Sequence, residues 1–189
     1  MDKLWKAPTE EQRLAYPMRK LSPNQMVEEY QFHLLLPGER LDEITKTFVG
    51  HLDKKLRWQQ LQSGSSVLES FEHSVKLSLL DWTAAVFLQV TTEIYWGKTI
   101  WEVAPNLIQS FLKWEETTWK YVFQIPTFLS KDMYAAKDQL VDAFTAYFGQ
   151  PKERRSDASY FVKTAEEELR DINFDDHNIA KVHMLQHWA

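Results

Sequence analysis

With 189 residues, 44% of them hydrophobic and 14% aromatic, the chain can bury a sizeable core within one domain and is too apolar to stay disordered. Its net charge of −5 argues against a nucleic-acid surface, which needs clustered Lys and Arg. It has no Cys, which excludes disulfides, thiolate metal sites and a Cys nucleophile. Two capping boxes open the chain, Thr9-Glu10-Glu11-Gln12 and Ser22-Pro23-Asn24-Gln25, each of the form S/T-x-x-E/Q. Pro23 stands at the favoured first helical position, and Pro37-Gly38 ends that helix. The next predicted helix runs through "GERLDEITKTFVGHLDKKLRWQQLQ", with Leu41, Ile44, Phe48, Leu52 and Leu56 in one apolar stripe. After the "SGSS" break a long helix is expected from about Val67 to Trp96, stopping at Gly97.

Pro105 opens a further helix, with Leu107, Ile108, Phe111, Leu112, Trp119, Val122 and Phe123 expected on its buried side and Pro126 at its end. Ser130 caps the following helix, where Met133, Ala136, Leu140, Phe144 and Tyr147 keep the period until Gly149-Gln150-Pro151. A shorter acidic helix, "SYFVKTAEEELR", precedes a last one capped by Asp175 or Asp176. No alternating strand and no internal repeat is visible. The class read from the pattern is all-α, six to eight helices in a single domain over 1–189. No stretch reaches the roughly 20 apolar residues of a membrane span.

Few residues invite chemistry. His183 and His187 share a helix face, but Met184 stands where a metalloprotease helix needs Glu. They read as polar residues flanking a buried stripe, with no metal site. Glu115-Glu116 and Glu166-Glu167-Glu168 are consecutive, so their side chains diverge around a helix and read as a solvated face. "PKERR" reads as a solvated loop, since Glu153 interrupts its basic run. No nucleophile–base pair, P-loop or dinucleotide fingerprint is present, so no catalytic residue is assigned.

The order of landmarks is similar to the middle of a cytochrome P-450 of fungal type. "FHLLLPGERLDEITKTFVGHLDKKL" resembles the Pro-Gly-Glu entry to helix C, and "YWGKTIWEVAP" the aromatic-Gly pattern at the end of a later helix. A Trp-rich helix runs to Pro126, "AAKDQLVDAFTAYFGQP" ends in an aromatic-Gln-Pro turn, and "NIA" stands where helix I begins. The resemblance implies a partial P-450 helical domain that lacks the haem-binding C-terminal part, its last helix being the first turns of helix I. It also implies haem as the family's cofactor, an apolar small-molecule substrate, an electron-donating reductase and the endoplasmic reticulum membrane, with peripheral contact at most from this chain. The connection between helices F and G then matches "WKYVFQIPTFLSKDM", so Trp119, Phe123, Phe128 and Met133 are expected to line substrate access.

The departures are plain. No Trp has Arg four residues on, and no Cys can serve as the axial iron ligand. Two functions follow: a fragment of a haem-dependent monooxygenase, inactive alone, or a free-standing all-α binding or interaction domain without enzymatic activity. A competing reading of Trp119, Phe123 and Phe128 is that they pack on neighbouring helices, as most aromatics do.

Overall fold

Ser22 and Gln25 close the second capping box in both directions. The Gln25 N–H donates to Ser22 Oγ at 3.3 Å, and the Ser22 N–H donates to Gln25 Oε1 at 3.1 Å. They open α1 (Pro23–Leu35), which buries Met26, Val27, Tyr30 and Leu34. This computed structural model describes residues 22–64 and 66–188; the first capping box, Thr9 to Gln12, lies outside them. Among the described residues helix makes up 73% and strand 4%, which establishes the all-α class. The described residues fall into two compact units, one from 22–35 and 96–188, the other from Leu36–Tyr95.

The Leu36–Tyr95 unit holds α2 (Glu39–Lys55), α3 (Trp58–Gln62), the strands β1 (Val67–Ser70) and β2 (Val75–Leu77), and most of α4 (Leu79–Trp96). Its core is Val86, Val90 and Ile94 of α4, packed by Trp82 and by Ile44, Phe48 and Leu52 of the predicted α2 stripe. The Phe48 and Phe87 rings meet at 5.8 Å. The helix expected to run on to residue 62 breaks at Arg57, whose ψ of 138° is extended.

The helix expected from Val67 begins only at Leu79. Its first part is instead an antiparallel hairpin, with Val67 opposite Leu77, Glu69 opposite Lys76, and an irregularity between Val67 and Glu69. The Phe71 N–H donates to Ser74 O at 2.8 Å and closes its turn. Residues 68 to 70 are all exposed. With no buried face, β1 carries no apolar alternation, the signal by which strands are read.

In the other unit α5 (Thr99–Val103), α6 (Leu107–Thr117), α7 (Trp119–Val122), α8 (Lys131–Phe148), α9 (Tyr160–Asp171) and α10 (Asp176–Trp188) gather around α8. α8 packs against α5, α6 and α10, and α1 packs against α9 and α10. The predicted stripe of α8 is the middle of this core: Met133, Ala136, Leu140, Val141, Phe144, Tyr147 and Phe148 are buried. Each large side chain among them is worth about 1.5–3 kcal/mol over its exposed state.

Two contacts join the Trp96–Lys98 turn to this core. The Tyr147 hydroxyl donates to Trp96 O at 2.8 Å, and the Trp96 and Phe144 rings lie 4.8 Å apart. Burial pushes the Tyr147 phenol above its ordinary value, so it stays a donor. Gly97 has φ +70°, and the Lys98 N–H donates to Asp157 Oδ2 at 2.9 Å.

The helix expected from Pro105 to Pro126 is also interrupted. α6 ends at Thr117, whose hydroxyl donates back to Lys113 O at 2.8 Å, a bond that tends to bend helices. Leu107 is buried as expected and Ile108 and Phe111 partly so, whereas Leu112, Trp119, Val122 and Phe123 are exposed; Trp114, outside the expected stripe, is buried as well.

Candidate functional site: an exposed aromatic corner

Past α6 the chain turns a corner that leaves its largest side chains in solvent. α7 is a single turn. It ends in a paired closure, the Ile125 N–H donating to Lys120 O at 2.9 Å and the Gln124 N–H to Tyr121 O at 3.1 Å. This Schellman arrangement puts Gln124 in the left-handed region, φ +50°, where Gly is usual. Pro126 then starts a 3-10 turn (Thr127–Leu129), and Ser130 leads into α8. The buried Ser130 hydroxyl donates to the carbonyls of Ile125 and Pro126 at 3.1 and 3.2 Å, tying the corner to the first turn of α8. Lys120 Nζ donates to both carboxylate oxygens of Asp132 at 2.8 and 2.6 Å and lies 5.8 Å from the Trp119 ring. That contact holds the exposed Asp132 carboxyl below its ordinary value.

Of the four residues expected at this site, the corner displays three. Phe123 and Phe128 are each 71% exposed and Trp119 is 50% exposed. The competing reading, in which these aromatics pack on neighbouring helices, is not met by Phe123 and Phe128, while Trp119 is half-buried. Met133 is separated from them: its side chain is buried in the α8 core at 1% exposure. Tyr121, Val122 and Leu129 are exposed alongside the three and extend the apolar surface. Val122 was missed because its helical spacing matched the stripe of a longer helix, and only the break at Thr117 turns it outward. Because much of its backbone is closed by its own hydrogen bonds, the corner offers mainly apolar contact.

The charged residues are arranged differently from the sequence reading. Arg155 of the "PKERR" segment is buried, in a short 3-10 turn (Lys152–Arg155). Glu166 and Glu168 are buried too, at 2% and 3% exposure, so the solvated-face reading holds only for Glu167, Glu115 and Glu116. Arg155 Nη1 and Nη2 donate to Glu166 at 2.6 and 2.9 Å, and Arg170 Nε donates to the same carboxylate at 2.8 Å. The Arg155 guanidinium also lies 5.0 Å from the Tyr147 ring and 5.5 Å from the Phe148 ring. Burial alone would raise the Glu166 carboxyl, but the two guanidinium groups outweigh it and hold it below the ordinary carboxylate range. No sequence signal marks this cluster, because Arg155 and Glu166 meet only through the turn between α8 and α9.

Asp175 caps α10, accepting from the Asn178 N–H at 2.8 Å, while Asp176 pairs with Arg170 at 2.8 Å. His183 is buried, its ring 5.0 Å from Phe148 and 5.4 Å from Phe161. The side chain of His187 lies outside the described residues. Among the described residues no group of three or more His, Cys, Asp or Glu could hold a metal ion, and no helix is long and apolar enough to cross a membrane. A scan of protein-family models, a search of curated proteins and a search of solved structures each match nothing.

Proposed function

We propose that this chain supplies a helical portion of a haem-thiolate monooxygenase of the cytochrome P-450 family, with the Trp119–Leu129 corner as the apolar surface on its substrate-access side. The observation that carries the reading is the exposure of Phe123 and Phe128 in the segment that resembles the F–G connection. The all-helical class and the order of sequence landmarks support it. In this reading the apolar substrate and the electron-donating reductase belong to the whole enzyme. The corner touches the lipid surface of the endoplasmic reticulum peripherally, with Trp119 and Tyr121 suited to the interface and Val122, Phe123, Phe128 and Leu129 to the acyl region.

The residues present do not fit the haem itself. The chain has no Cys to give a thiolate, and the imidazole of His183 is enclosed between Phe148 and Phe161. The thiolate of such an enzyme has to come from outside these 189 residues. The part assigned to this chain is to present an apolar surface and to exclude water from what binds against it.

The test is co-sedimentation with vesicles of phosphatidylcholine and a minor fraction of phosphatidylserine. The double variant Phe123→Ala/Phe128→Ala is expected to lose about tenfold in partitioning per ring removed. Its thermal stability should change by less than about 0.5 kcal/mol, as for exposed sites generally. Equal partitioning of variant and parent, or no partitioning of the parent, overturns the assignment and leaves the free-standing interaction domain as the better reading.

A further inference from the structure

We propose that the Arg155–Glu166–Arg170–Asp176 chain of ion pairs is a register device: it selects where α10 sits on α8 and α9 and is not a source of net stability. The need for such a device follows from α10 itself. Ile179, Ala180, Val182, His183 and Met184 are all buried. At 3.6 residues per turn they cover an arc of about 200°. Apolar burial is non-directional. A helix buried over so wide an arc can rotate or slide by a residue and still bury comparable area.

The charged contacts sit at one end of α10 and lead from Asp176 through Arg170 to Glu166, beside a separate contact of 3.4 Å between Thr145 Oγ1 of α8 and His177 Nδ1 of α10. Arg155 grips that carboxylate with two bonds while its Nε donates to Gln150 O at 3.0 Å, which anchors the turn after α8. Arg170 grips it from α9 and sends Nη2 both to Phe148 O, at 3.0 Å, and to Asp176 Oδ1, at 2.8 Å. One carboxylate thus ties together the last turn of α8, the body of α9 and the first turn of α10. Charge-assisted bonds of this kind are geometrically demanding. Taking Arg155 and Glu166 out of water offsets most of what their attraction returns. The arrangement therefore selects one geometry without adding much stability. This inference does not depend on the monooxygenase reading.

The test compares the full chain with the triple variant Arg155→Met/Glu166→Leu/Asp176→Asn, reading thermal midpoint and amide hydrogen exchange. A register device predicts a midpoint near that of the parent. It also predicts exchange at least about tenfold faster in residues 178–184, with α6 and the middle of α8 still protected. Unchanged protection of α10 overturns the proposal, and so does a variant that fails to fold, because the network would then be supplying net stability. Asp176→Ala alone gives a second reading. It cuts only the Arg170 arm and leaves the Asp175 cap in place. Exchange about threefold faster and confined to α10 supports the proposal, and exchange identical to the parent overturns it.

Discussion

Two backbone positions carry more than their side chains suggest. A Cβ on Gly97 would lie 2.1 Å from Asp157 Oδ1, and φ +70° is itself unfavourable for any other residue. Gly97→Ala is therefore expected to lose at least about 2 kcal/mol, from left-handed backbone strain and the displaced Asp157–Lys98 bond together. Removing the obstacle should recover part of this. In a double-mutant cycle Gly97→Ala with Asp157→Ala should cost less than the sum of the single changes, and strict additivity in urea melts would contradict the clash. Gln124 is the opposite case, a residue other than Gly held at φ +50°. Gln124→Gly should raise stability by about 0.5–1 kcal/mol, the relieved strain exceeding the added chain entropy of the unfolded state. A lower melting temperature for that variant would show that the Gln124 side chain contributes more than the backbone loses.

Among the elements, α9 joins an apolar face to the charge cluster. Phe161, Val162, Ala165 and Leu169 are buried beside Glu166 and Glu168. Glu166→Gln leaves the buried Arg155 without its counter-charge and is expected to cost about 3–5 kcal/mol at neutral pH. This agrees with a network of little net worth, because losing one charge is penalised far more than losing the pair. The folded carboxyl titrates below its ordinary value of 4.5. Its contribution is thus complete above that value and is lost as pH falls through the lower folded value. Urea midpoints of the parent should therefore be insensitive to this group between neutrality and pH 5. The gap between parent and Glu166→Gln should narrow on further acidification. A gap that stays constant down to pH 2 would place the titration elsewhere.

For the whole molecule, the missing thiolate sets the clearest expectation. Purified chain mixed with haem and reduced under carbon monoxide should give no thiolate-type difference band, since there is no Cys to ligate iron. Weak binding through a histidine would give a different spectrum. A thiolate-shifted band would contradict the donor inventory outright. The exposed apolar surface is not limited to the corner. Leu79 and Leu80 of α4 are 70% and 78% exposed, so the Leu36–Tyr95 unit also presents apolar surface to solvent.

What was legible in the sequence is what depends on neighbours along the chain. The Ser22–Gln25 box, the stripes of α2 and α8, the Asp175 cap and the all-α class all follow from contacts within about four residues, and each reads directly from spacing. The aromatic corner was half legible: its composition could be read, but its exposure rests on the break at Thr117 and the Schellman closure around Gln124. The hairpin at 67–77 was not legible, because β1 has no buried face and the alternation of β2 lasts only the three residues Val75–Leu77. Tertiary structure alone decided the Arg155–Glu166–Arg170–Asp176 network, which turned the apparent surface charges of Arg155 and Glu166 into buried structure. Burial is a property of what lies across the fold. Charged residues on a helix look the same in sequence whether they meet water or a guanidinium brought from another element.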